Sequence, residues 1–235
     1  MRPVDRGDVP KNYDDNVFKP KTYQEFREFL IKRLGSYCSY CERPISHNVA
    51  VEHIKPKDSN KSLEKEWSNL LLACTNCNST KGKTKVILAA YIWPDLDNSA
   101  LAFNYSSSGR VNINPSISQV NRYRALKTIK LLGLDKEPSY DPVMSGDTKD
   151  QRWRERRTVW EVAIRALERL RRNDTNDFRE QIVDTALGRG YFSIWMSVFV
   201  NDNDMLNKFV KAFVGTANDC YDCDYNLIFR RTGRL

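Results

Sequence analysis

At 235 residues the chain is long enough to bury a hydrophobic core without staples, so a metal or disulfide would serve a local purpose. Lysine and arginine outnumber aspartate and glutamate by 38 to 30, a net charge of +8, which points to a polyanionic partner. The amino-terminal segment lacks the apolar stretch of a signal sequence, and the longest apolar run, 191–200, is too short for a bilayer. A cytoplasmic protein without membrane contact is expected.

Residues 1–20 read as irregular. The following T-Y-Q-E-F-R-E-F-L-I-K-R-L-G puts Phe26, Phe29, Leu30 and Leu34 on one helical face with Gly35 as the stop, so 1–35 make an arm and a helix. Residues 36–115 carry two Cys-x-x-Cys pairs, β-like pieces around Val49 to Ile54 and Leu70 to Ala73, and a lysine-rich segment after Cys77. Further on, A-F-N-Y-S-S-S-G-R-V-N-I reads as a hairpin, two alternating runs around a serine and glycine turn.

From Ile117 the pattern is helical, with Val120, Tyr123, Leu126, Thr128, Ile129 and Leu132 on one stripe before Gly133. Proline and glycine between 138 and 146 mark a loop. The stretch from Arg152 to Arg172 is a second helix with eight arginines and three glutamates, suited to nucleic acid or to an acidic face of a partner. More helix follows over 175–187 and 203–214, so 116–235 form a helical C-terminal region. Its stretches such as Y-F-S-I-W-M-S-V-F-V suit a core or partner docking.

In a reducing compartment, Cys-x-x-Cys pairs read first as metal ligands. Cys38, Cys41, Cys74 and Cys77 supply four thiolates for a tetrahedral zinc with no open position, so this zinc is structural. The 32 residues between Cys41 and Cys74 are more than a finger needs, as if the cage clamps an inserted element. Cys220 and Cys223 have no matching pair left and read as buried or free thiols.

Within and just after that element come Glu52-His53, Asn69-Leu70 and Cys77-Asn78-Ser79-Thr80-Lys81-Gly82. This order resembles the HNH endonuclease family, whose ββα-metal motif is often framed by such a cage. The resemblance implies His53 as general base, Asn69 as the central asparagine bracing the histidine's loop, and Glu52 and Asn78 as oxygen ligands of a catalytic Mg²⁺ or Mn²⁺. Family members more often carry Asp or His before the base and His at the third position, which leaves ligation by Glu52 less secure than the role of His53. Lys81 follows the last ligand and is expected to meet a substrate phosphate, with Lys83 and Lys85 either joining it or forming a solvated face. His47 matches no motif position and reads as a loop histidine.

Beyond the motif, M-R-P-V-D-R-G, E-H-I-K-P-K, C-T-N-C-N-S-T-K-G and G-T-A-N-D-C-Y-D are similar to the family of HNH nuclease subunits of Septu-type antiphage systems, also found beside certain retrons. That resemblance implies a partner ATPase of the ABC/SMC-like class, PtuA, and no ATP hydrolysis by this chain, which has no Gly-x4-Gly-Lys-Ser/Thr loop. DNA is the favoured substrate. Cleavage of an RNA such as tRNA, a solitary restriction-type nuclease, and a zinc-framed nucleic-acid-binding adaptor without catalysis remain as alternatives. The expected fold is α+β, mostly helical, with a zinc-clamped ββα motif and a helical C-terminal region.

Overall fold

The computed structural model describes residues 1–136 and 150–235, and the loop expected over 138–146 lies outside the described residues. The elements run α1 (Arg27–Leu34), β1 (Ala50–His53), β2 (Leu70–Ala73), α2 (Thr75–Lys81), α3 (Ser99–Ala102), β3 (Phe103–Tyr105), β4 (Val111–Ile113), α4 (Gln119–Leu132), α5 (Arg152–Leu170), α6 (Asn176–Arg189), α7 (Phe192–Val198) and α8 (Asn203–Ala212). The class is α+β and mostly helical, as the periodicities imply.

A 3₁₀ turn over Tyr23–Phe26 leads into α1. The Glu25 carboxylate accepts from the backbone N–H groups of Lys21 and Thr22, which would otherwise go unpaired at this end. Phe26, Leu30 and Leu34, spaced by four, are buried, and Gly35 ends the helix at φ 71°. Beside α1 lies the antiparallel pair β1–β2, with Glu52 opposite Leu71 and His53 opposite Leu70. The apolar run Leu70-Leu71-Leu72-Ala73 is wholly buried, which suits a strand covered on both faces. It delivers Cys74 to the N-cap of α2, completing a β-β-α sequence.

The second hairpin forms as expected, Phe103 pairing with Ile113 and Tyr105 with Val111. In α4 Thr128, Ile129 and Leu132 face inward as expected, but the first half of the stripe is corrected: Val120, Tyr123 and Leu126 are exposed, and Asn121 and Ala125 are buried in their stead. The small Ala125 and Thr128 allow close packing of the segment before Trp93, whose Ile92 N–H donates to the Thr128 hydroxyl at 2.8 Å. On the outer face Lys127 instead sits over the ring of Tyr123, 5.0 Å from its centroid.

The helical C-terminal region grips the cysteine-bearing loops. Tyr191 N–H donates to the Glu42 carbonyl, the Ser193 hydroxyl donates to the Glu42 carboxylate at 2.5 Å, and Tyr37 hydroxyl donates to the Leu187 carbonyl at 2.7 Å. Gly190 is required here: at φ 69°, a Cβ would stand 2.6 Å from the Glu42 carbonyl oxygen. Buried side chains of α1, β2, α4, α7 and α8 belong to one continuous apolar cluster.

Candidate active site and cysteine cage

The sulfurs of Cys38, Cys41, Cys74 and Cys77 all lie within 4.8 Å of one another and all four residues are buried. Cys41 and Cys74 sulfurs are 3.6 Å apart. A tetrahedral zinc with bonds of about 2.3 Å sets its sulfurs about 3.8 Å apart, so donor type, number and separation fit that ion. The knuckle geometry follows from local backbone bonds. Glu42 N–H returns to the Cys38 carbonyl at 2.9 Å, and Cys77 N–H donates to the Cys74 sulfur at 3.4 Å. Burial and the neighbouring sulfurs push the Cys77 thiol well above its usual range. A coordinated cation reverses that order, because a coordinating thiol is deprotonated outright.

Arg152, at the first residue of α5, completes the cage's surroundings and was not foreseen. Its Nη1 donates to the Cys77 sulfur at 3.0 Å and to the Leu132 carbonyl, Nη2 donates to the Gly133 carbonyl, and Asp150 pairs with it at 2.6 Å. A guanidinium buried to 1% exposure thus offsets negative charge on the thiolates. Nothing in the sequence separates this arginine from its seven neighbours in R-W-R-E-R-R and beyond.

On β1 successive side chains point to opposite faces, so Glu52 and His53 look different ways. Both are buried, at 5% and 7% exposure. His53 Nε2 lies 2.9 Å from the Glu64 carbonyl oxygen, and the ring packs edge-on to Tyr23 with centroids 4.5 Å apart. A carbonyl only accepts, so Nε2 carries the proton and Nδ1 keeps its lone pair. Burial, the largest influence, holds the imidazolium below its ordinary pKa.

Asn69 ties the histidine's loop together from the end of the 3₁₀ turn that precedes β2. Its Oδ1 accepts from Lys55 N–H at 2.8 Å, and its Nδ2 donates to the Lys55 and Leu63 carbonyls at 3.0 and 3.2 Å. The residue is 5% exposed, and its side-chain hydrogen bonds among the described residues all go to backbone.

Lys81 does not stand where a phosphate would meet it. It is 1% exposed at the end of α2, with Nζ donating to the His53 carbonyl at 2.7 Å and lying 2.7 Å from Glu52 Oε1. Its place on the inward face of α2 with Cys77 and Asn78 explains the difference from expectation. Lys83 is exposed and pairs with Asp58, and His47 is an exposed turn residue. Burial pushes the Glu52 carboxyl above the usual range, opposed by Lys81. Glu52 Oε1 is buried at ion-pair distance from Lys81, its one ion-pair partner among the described residues, so the carboxylate keeps acceptor positions that a cation could use. Asn78, partly exposed three residues before Lys81 on α2, makes no hydrogen bond through its side chain among the described residues. Cys220 is buried, Cys223 exposed, and neither joins a metal-competent cluster among the described residues.

Among the described residues no helix is long and apolar enough to cross a membrane. Comparison with known proteins places the family resemblance on this same ground: residues 38–84 match the HNH endonuclease family. Septu protein PtuB of Bacillus thuringiensis is 34% identical over 87 residues, a match covering 34% of this chain and 34% of that protein. The chain therefore spans about a third of the length of the relative it matches. The segment matched by the family begins at Cys38 and ends beyond Cys77, so it contains the cage, His53, Asn69 and Asn78, and the chain carries an HNH endonuclease domain.

Proposed function

We propose that this chain is a metal-dependent endonuclease that hydrolyses phosphodiester bonds, with His53 as general base. The observation that carries the reading is the bond between His53 Nε2 and the Glu64 carbonyl at 2.9 Å. It fixes the tautomer whose Nδ1 can take a proton from water, and burial keeps that imidazole neutral near physiological pH. Asn69 is the positioning residue that holds the loop, since it pins Lys55 two residues beyond the base. A positively held fork of backbone bonds costs no reorganisation during reaction.

The cage holds a structural zinc. Glu52 and Asn78 would hold a hard divalent cation, Mg²⁺ or Mn²⁺, whose oxygen preference matches a carboxylate and an amide. Bound there, it supplies positive charge for the phosphate and the leaving 3′ oxygen. Lys81 keeps Glu52 in place and brings its own charge beneath the strand. Residues 36–115 serve as the nuclease region and 116–235 as the helical region that docks a partner. By likeness to the Septu protein, that partner is an ABC/SMC-like ATPase, PtuA, the setting is the cytoplasm during antiphage defence, and the substrate is DNA.

Replacing His53 by alanine is expected to abolish cleavage of plasmid and phage DNA, while zinc content stays at the parent's value and the chain still unfolds in a cooperative transition, lowered by the lost contacts of a buried ring. Full activity in His53→Ala would remove the base assignment. Unchanged cleavage in the presence of excess EDTA would remove the divalent cation.

A further inference from the structure

We propose that the cleft between the β3–β4 turn, the end of α4 and the first turns of α5 binds a phosphate group. The cleft has a volume of about 250 Å³ and is lined by Gly109, Arg110, Asn112, Lys136, Trp153 and Arg156, among others. Trp153 and Arg156 are three residues apart on α5 and so share a helix face.

Two donors on that face are unanswered. Arg156 is 2% exposed; its Nε donates to the Gly109 carbonyl at 2.6 Å and its Nη2 to the Leu134 carbonyl at 3.1 Å, while Nη1 is buried without a partner. The Trp153 indole Nε1 is likewise buried without a partner. Leaving such donors unmade costs about 1–3 kcal/mol each, and more for a charged group. A guanidinium and an indole N–H offer no lone pair, so the ligand is an acceptor, and the permanent charge on arginine makes it an anion. Arg110 and Lys136 add positive charge, although each has contacts of its own. Asp135 also lines the cleft, but its carboxylate pairs with Lys130 at 2.5 Å. A tetrahedral oxyanion presents acceptor oxygens in several directions, so it can meet two donors from different side chains more readily than a planar carboxylate.

The walls are fixed. At Gly109, φ +80°, a Cβ would lie 2.1 Å from the Trp153 carbonyl oxygen, so the hairpin turn is seated directly on α5. Gly133, at the end of α4, packs closely as well: a Cβ there would meet Thr80 Cγ2 at 3.0 Å and Lys136 Cε at 3.1 Å. Phosphate binding here does not rest on the nuclease reading.

The test follows indole N–H resonances of the full-length His53→Ala chain by ¹H–¹⁵N NMR, with Trp153→Phe assigning one of the five tryptophans. Inorganic phosphate, a 5′-mononucleotide and a short DNA duplex are titrated separately. The Trp153 signal is expected to move saturably with each phosphate-bearing probe, and in parallel isothermal titration calorimetry Trp153→Phe, which removes one donor, is expected to weaken binding about tenfold. Tighter saturation by the duplex identifies a strand phosphate, and equal or tighter saturation by the mononucleotide identifies a free nucleotide. An indole that stays still with all three probes, or that responds equally to chloride, overturns the site. If cleavage fails in the parent chain while this signal still saturates, the nuclease reading falls and the phosphate site stands.

Discussion

The cysteine-framed segment and the far end of α5 treat charge in opposite ways. In the first, Glu52, Lys81, Asp150 and Arg152 are withdrawn from water and satisfied by one another, by backbone carbonyls and by a cysteine sulfur. In the second, Arg165 and Arg169 on α5 and Arg189 on α6 stand exposed beside a groove floored by Val162, Ala166, Phe178 and Ile182, with no carboxylate partner among the described residues. The same residue type is therefore scaffold at one end of a 19-residue helix and surface at the other. Positioned charge requires partners that fix it, whereas exposed charge is available for whatever arrives.

The largest effect that would separate the two is removal of the metal from the cage. Structural zinc contributes about 10–16 kcal/mol to small zinc-binding peptides, so stripping it is expected to unfold residues 38–84. The far helices carry none of the four thiolates and should keep more structure, although they share one apolar cluster with β2. Circular dichroism and limited proteolysis after treatment with a strong chelator check this; a chelated chain with unchanged protection around β1 and β2 would deny the cage its role.

Next in size is Lys81→Met. Removing one member of a buried ion pair costs about 3–5 kcal/mol, because the surviving charge is left in a poor solvent. Here the loss also frees the His53 carbonyl from its lysine. Adding Glu52→Gln to Lys81→Met is expected to restore part of the lost stability without restoring cleavage. Chemical denaturation of the two single variants and the double variant measures the coupling; simple additivity would mean that the pair in β1 and α2 is not an interacting unit.

How much of this was legible beforehand differs by region for physical reasons. Helix α1, the β3–β4 hairpin and each Cys-x-x-Cys pair follow from period, turn residues and spacing, all of which are local, and matched pairs in one chain then point to a shared ion. The burial of Lys81 and Arg152 is not local. Each depends on a partner 29 residues away in one case, Glu52, and on carbonyls from α4 in the other. A lysine after a metal motif and an arginine among arginines look the same in sequence whether they face water or the interior. In α4 apolar size misleads, since the small Ala125 and the polar Asn121 pack inward while Val120, Tyr123 and Leu126 stay out. The tautomer of His53 was equally unreadable, because its partner is a backbone carbonyl on a turn that sequence does not place.

The smallest effect is the most discriminating within α5 itself. Arg165→Gln with Arg169→Gln is expected to change stability by no more than about 0.5 kcal/mol, as for other exposed positions without special contacts. Arg152→Gln in the same helix strips the guanidinium from the Cys77 sulfur and leaves Asp150 buried and unpaired, for a cost of about 3–5 kcal/mol. Thermal unfolding of the two variants side by side reads the contrast directly. Were the outer pair to destabilise as much as Arg152→Gln, those arginines would have to be gripping something in the fold, and the division between scaffold and available charge along α5 would collapse.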